Sequence, residues 1–253
     1  MKILKNTTIK RTVKRTLSLL LAIAMALSLL PVSPVSAAGE DTVTVANDYI
    51  KVTVSTKNGG YTISTLQGDI LKKSDDDKAL THRGDYFDTS FTSFQIDGDS
   101  EKEYIFGNAY GFLGASSSEV TTTTDSVGVT SAYSVGDLEF VQRIELVSGA
   151  NSEQLGTALI SYTVRNKSQS GAAVKSRVLI DTQLGEKDFG YYEATKGVLG
   201  AGYDFIERET TLSGDAVPAD YFVKDAPFEP DIAAFGVNSV ISTDKPYQMT
   251  FAH

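Results

Sequence analysis

The sequence predicts an all-β fold, a large antiparallel β-sandwich. From Val43 onward, apolar and polar residues alternate in short runs rich in Val, Ile, Thr, Tyr and Phe, the period of strands with one buried face. Clusters of Asn, Gly, Asp and Ser separate the runs, and these residues favour tight turns. The 3.6-residue spacing of an amphipathic helix is almost absent from this region.

The elements follow in order. Val43-Thr-Val45 and Tyr49–Ser55 read as the first strands, and Tyr61–Leu66 as the return. Lys57-Asn-Gly-Gly60 between them is a hairpin turn, because Asn and Gly accept positive φ at little cost. Gln67-Gly-Asp69 turns again, and Ser74–Lys78 is a charged, solvated loop. Thr89–Ile96 alternates, with Phe91 on one face and Phe94 and Ile96 on the other. Asp97–Ser100 is a turn, Glu103–Phe106 a short strand and Gly107–Ser118 a loop.

Val120–Ser126 and Val127–Tyr133 continue as strands. Leu138–Val147 is a long strand whose apolar phase changes near Phe140-Val141, which predicts a bulge. With Gly156–Arg165 and Ala173–Ile180 it has the spacing of an antiparallel meander. Residues 181–230 hold three of the six prolines and many Gly and acidic residues, and read as long loops crossing a sheet. Ile232–Ile241 and Tyr247–Ala252 return to a strand pattern. The alternation runs up to His253 with no closing turn, so further strands of the same domain are expected beyond it.

Residues 1–38 read as a secretory signal peptide, and 39–253 as one extracellular domain. Lys2, Lys5, Lys10, Arg11, Lys14 and Arg15 form a basic start, and Leu17–Leu30 is an apolar run. Small residues through Ala38 supply a cleavage site after Ala37 or Ala38. The apolar run is shorter than the ~20 residues of a membrane span. Cleavage removes six of the 23 basic residues and none of the 32 acidic ones, leaving 17 against 32, a net charge of −15. That balance argues against nucleic acid, which Lys and Arg hold through its phosphates, and against an anionic membrane surface. The sequence has no Cys, so no disulfide, thiolate metal site or cysteine nucleophile is possible, and its two His exclude a multi-histidine metal centre.

Candidate chemistry is sparse. Asp181 and Asp188 flank the turn Thr182–Lys187 after an apolar strand, where carboxylates can ligate Ca²⁺ or cap turn N–H groups without a metal. The spacing is not that of an EF-hand, and capping is the preferred reading; no other cofactor is expected. Asp97–Glu101 and Ser74–Lys78 are acidic in the same way, and no pair among the 32 acids stands out as glycosidase carboxylates. His82 in Thr81-His-Arg-Gly-Asp-Tyr86 reads as a polar loop residue rather than an acid–base group, and Arg83-Gly-Asp85 as chance. There is no Gly-x-Ser-x-Gly elbow and no phosphate loop. Among the loop-like aromatics Tyr86, Phe87, Tyr110, Phe112, Tyr191 and Tyr192, the four tyrosines are candidates to stack on a glycan, although loop aromatics more often fold onto the core and the chain has no Trp.

Asn47–Val54, Thr89–Gly98, Tyr104–Phe112, Ile160–Asn166 and Ser176–Gly185 together resemble, in order, the N-terminal β domain of large secreted surface proteins of clostridia-like Gram-positive bacteria, some with S-layer or other wall-attachment modules. The resemblance covers nearly all of residues 43–253. It departs where the family pattern has Gly-Asn-Asp and this chain has Gly185-Glu-Lys-Asp188. The family pattern also runs on past the final His. No catalytic residue carries over from it. The wide antiparallel sheets are also similar to galactose-mutarotase-like supersandwiches, a likeness of fold that transfers no activity. The resemblance implies a non-catalytic cell-surface domain, structural or adhesive at the wall, with wall polysaccharide or other surface proteins as partners. The alternatives are a carbohydrate-binding module or a truncated mutarotase-like or lyase-like enzyme.

Overall fold

The computed structural model describes residues 41–68, 71–82, 89–96, 103–108, 119–149, 155–187, 190–195, 203–206, 208–238 and 248–251. Every strand pairing in it is antiparallel. Among the described residues the only helices are 3-10 turns of three residues. The chain is an all-β antiparallel sandwich.

One layer is a four-stranded meander: β6 (Thr121–Thr124), β7 (Gly128–Val135), β8 (Leu138–Val147) and β9 (Thr157–Asn166). The strands β1 (Thr42–Ala46), β2 (Ile50–Ser55) and β3 (Tyr61–Thr65) form one sheet packed on it. A second covering sheet has the order β10-β4-β5, from β4 (Phe91–Ile96), β5 (Tyr104–Ile105) and β10 (Val174–Leu179). Bridges Ser64↔Ala79 and Thr81↔Thr182 stitch β3 to the segment that follows β10. The predicted Lys57–Gly60 turn is present. Gly59 sits at φ +70°, and the Asn58 side-chain oxygen accepts the Gly60 N–H at 2.9 Å.

β8 explains how one sheet carries two covers. Its burial alternates without interruption, with Leu138, Phe140, Gln142, Ile144 and Leu146 inward. Ile144 and Leu146 join Val129, Val45, Ile50, Val52, Val54 and Tyr61 under the first covering sheet. Leu138 and Phe140 join Phe94, Phe106 and Tyr133 under the second, with Phe94 stacked on Phe140 at 4.1 Å between ring centroids. Gln142 falls between the two clusters. Its amide donates to the Gly59 carbonyl at 2.7 Å and its oxygen accepts the Tyr162 hydroxyl at 2.8 Å. Ser131 lies opposite Gln142, and Thr122 opposite Ser131, so a polar row crosses the sheet at the seam.

Three expectations are corrected here. There is no bulge in β8: the ladders to β7 and β9 run unbroken through Phe140-Val141. The phase change in the sequence arises because Val141 points out and Gln142, hydrogen-bonded through both its nitrogen and its oxygen, takes the core position. The meander also stops at β9. After Lys167–Ala173 the chain crosses to the other layer, where β10 pairs with β4. Residues 181–230 are not merely loops. They contain β11 (Tyr191–Thr195), β12 (Tyr203–Ile206), β13 (Thr210–Ser213) and β14 (Asp220–Lys224). With β15 (Ala233–Val237) three of these make a four-stranded sheet in the order β12-β11-β14-β15, while β13 pairs with β16 (Gln248–Phe251). The strands are short, four or five residues, so their alternation is too brief to stand out among Gly and Pro.

Candidate ligand-binding face

The β12-β11-β14-β15 sheet has two unlike faces. Inward, Val223 packs with Leu184 and Ile232, flanked by Leu80, Tyr192, Tyr221 and Ala234. Gly236 lies opposite Tyr221, and a Cβ there would come within 2.3 Å of the ring, so glycine lets this aromatic lie flat across β15. Strand alternation then sends Phe222 and Lys224 outward, together with Tyr191, Glu193, Phe205 and Phe235.

Register turns those outward residues into a row. Phe205 faces Glu193, Glu193 faces Phe222, and Phe222 faces Phe235, one residue from each strand in the order of the sheet. Phe222 and Phe235 are in ring contact at 4.7 Å. Phe235 is 51% exposed and Phe205 45%. Glu193 interrupts the aromatics, and its carboxylate accepts the Lys224 ammonium at 2.6 Å. The same ammonium lies 5.6 Å from the centre of the Phe222 ring. Tyr191 stands opposite Lys224 at the edge of this face.

A stapled loop adds a further ring. Between β14 and β15 the Asp225 carboxylate accepts the Ile232 N–H at 3.1 Å, and the Asp225 N–H donates to the Ile232 carbonyl. Lys187 donates to the Asp225 carbonyl at 2.8 Å, and Lys72 to that of Pro230 at 2.6 Å. So held, the loop presents Phe228 79% exposed and edge-on to Phe205 at 6.3 Å. The next residue, Glu229, has φ +49°, a left-handed conformation that non-glycine residues seldom adopt. Beyond β12 an open groove of about 380 Å³ is lined by Phe205, Ile206, Arg208 and Thr210. Covering a ring that is half exposed is worth ~1 kcal/mol, so the row is a surface with free energy available for a ligand.

The predicted site residues fall out unevenly. Tyr191 is on this face, 39% exposed. Tyr192, its neighbour, points inward, packs in the cluster beneath and shares a hydrogen bond with Thr182 at 3.0 Å. Tyr86, Tyr110 and Asp188 lie outside the described residues, as do Arg83–Asp85 and residues 1–38. Asp181 closes the strip after β10: its N–H donates to the Ser90 hydroxyl at 3.1 Å and its carbonyl accepts the His82 N–H at 2.9 Å. Among the described residues no three His, Asp or Glu side chains are grouped to hold a metal ion. Phe205, Phe222, Phe228 and Phe235 were not singled out by sequence; their signal is a strand such as Asp220–Lys224 with aromatics on both faces. No protein-family model, curated protein or solved structure matches this chain.

Proposed function

We propose that this chain is a secreted, non-catalytic cell-surface domain with an adhesive role at the wall of a Gram-positive bacterium, and that the Phe205–Glu193–Phe222–Phe235 face makes the contact. The observation that carries the reading is that three strands place the rings Phe205, Phe222 and Phe235 in register with Glu193 of the fourth, around a single ion pair. A solvated protein surface seldom keeps so many contiguous apolar groups unless something covers them. The basic, apolar N-terminus supports export. The acidic balance disfavours nucleic acid as the partner.

A second reading, a carbohydrate-binding module, is favoured by the chemistry of the same row. Flat rings stack on the C–H faces of sugars, while Glu193 and Lys224 supply an acceptor and donors for hydroxyls. Pull-down on purified cell walls, before and after protease treatment, and on isolated wall polysaccharide tests both. The Phe222→Ala/Phe235→Ala double variant is expected to lose retention at unchanged melting temperature. Retention that survives the double variant refutes this face as the contact. Binding to isolated polysaccharide selects the second reading, and binding lost with protease treatment selects a protein partner at the wall.

A further inference from the structure

We propose that β9 is a dimerisation edge, where two copies of this chain pair β9 against β9 about a twofold axis. Among the described residues the outer edge of β9 pairs with no strand, although β9 is ten residues long. Three of the usual protections of an edge are missing from β9: it has no proline, no interruption of its ladder to β8 and no inward-pointing charge. Its inward residues, Ala158, Ile160, Tyr162 and Val164, lie opposite Leu146, Ile144, Gln142 and Phe140 of β8. Those β8 partners are fully buried, yet Val164 remains 40% exposed. In the other layer Val178, which faces inward beside Thr92, is 45% exposed. Among the described residues the edge strands β9 and β10, one in each layer, therefore each leave an inward apolar side chain exposed.

The occupant follows from the sequence of the strand. Antiparallel self-pairing keeps inward residues facing inward only in alternate registers. The register centred on Ser161 sets Ile160 opposite Tyr162 of the other copy and Ala158 opposite Val164. These are an aromatic with a β-branched residue and a small residue with a larger one, pairings that stabilise sheets. The charge on β9 is Arg165, which this register places opposite the neutral Thr157. The two Arg165 side chains then stand ~27 Å apart at ~3.4 Å per residue, beyond the ~8 Å screening length of physiological salt. Parallel pairing would instead set them side by side. The antiparallel dimer makes one eight-stranded sheet and covers the apolar side of β9 in both copies.

The test is sedimentation velocity of the purified protein over a wide concentration range, with single-cysteine crosslinking in a chain that has no native Cys. Wild type is expected to reach twice the chain mass as concentration rises. Ser161→Cys is expected to form a covalent dimer under mild oxidation, and Thr123→Cys on the opposite edge to form none. Val164→Lys is expected to lose the dimer while keeping its circular dichroism spectrum. A wild-type monomer at every concentration overturns the proposal, whether a further strand or another protein covers the edge. So does a dimer that crosslinks through Thr123→Cys and not through Ser161→Cys, a result that stands even if Val164→Lys misfolds.

Discussion

Gln142→Leu is the sharpest test of how the two cores are joined. Gln142 is 2% exposed and its amide spans the seam, donating to Gly59 in the covering layer and accepting from Tyr162 in its own. Leucine matches its size but leaves the Gly59 carbonyl and the Tyr162 hydroxyl in the interior without this partner, at ~1–3 kcal/mol each. Added apolar burial returns ~1–2 kcal/mol. The expected net loss is ~1–4 kcal/mol, or roughly 3–15 °C in melting temperature for a domain of this size. Tyr162→Phe removes one of the two groups that lose their bond to Gln142 while keeping the ring against Phe94 and Phe106. The double variant should therefore be less destabilised than the sum of the singles by ~1–2 kcal/mol. Urea unfolding of the four proteins measures this. A Gln142→Leu protein as stable as wild type, or strictly additive single effects, refutes the bridging role.

Other outcomes follow from the same interior. The Tyr61 hydroxyl is buried without a hydrogen-bond partner among the described residues, so Tyr61→Phe is expected to be neutral or stabilising by up to ~1–3 kcal/mol in urea melts; a clear loss would reveal a partner. Gly107 has φ +67°, and a Cβ there would lie 2.2 Å from the Asn58 carbonyl oxygen. Gly107→Ala should cost ~1–2 kcal/mol for the backbone conformation and ~1–3 kcal/mol for the clash. Gly136→Ala, with positive φ but open space, should cost the first part alone, and equal losses in the two would sink the argument. Burial raises the ionisation of Tyr61, Tyr162 and Tyr221 above the usual phenol value. The unfolded chain therefore releases these protons first. Their contribution to stability is intact below pH ~10 and falls above it by ~1.4 kcal/mol per pH unit per tyrosine. The last three tyrosines to ionise should do so together with the loss of the circular dichroism signal, in one steep alkaline transition; all 12 tyrosines forming phenolate while the fold persists would contradict it.

Strand existence was legible from sequence wherever one face is apolar over five or more residues, because pairing with a neighbour does not alter that period. β2, β4, β7, β8 and β9 were all placed this way, and so was the hairpin at Asn58-Gly59. Partnership was not legible. The runs that became β8, β9 and β10 have the same spacing as a meander, yet β10 pairs with β4, which precedes it by some 80 residues. Nothing within Ala173–Ile180 records that choice; Phe94 stacking on Phe140 holds β4 against the β8 layer, and β10 pairs with the edge so placed. The bulge failed for a related reason. An inward Gln reads as polar in any local window, and only its long-range partners Gly59 and Tyr162 make the core position affordable.

The binding face shows the same limit at the level of function. Phe205, Phe222 and Phe235 belong to three separate strands, each too short to announce itself, and Tyr191 sits beside Tyr192 with no local mark of which points out. Their alignment exists only through the registers of β11 with β12, β11 with β14, and β14 with β15. A one-residue slip in β14 would bury Phe222 and turn Tyr221 outward, breaking the row at its centre. The buried Val223 opposes that slip, since the same shift would turn it away from Leu184 and Ile232 and bring Lys224 inward. The packing that buries Val223 therefore also fixes which ring meets the solvent, and the outer face inherits its geometry from the core beneath it.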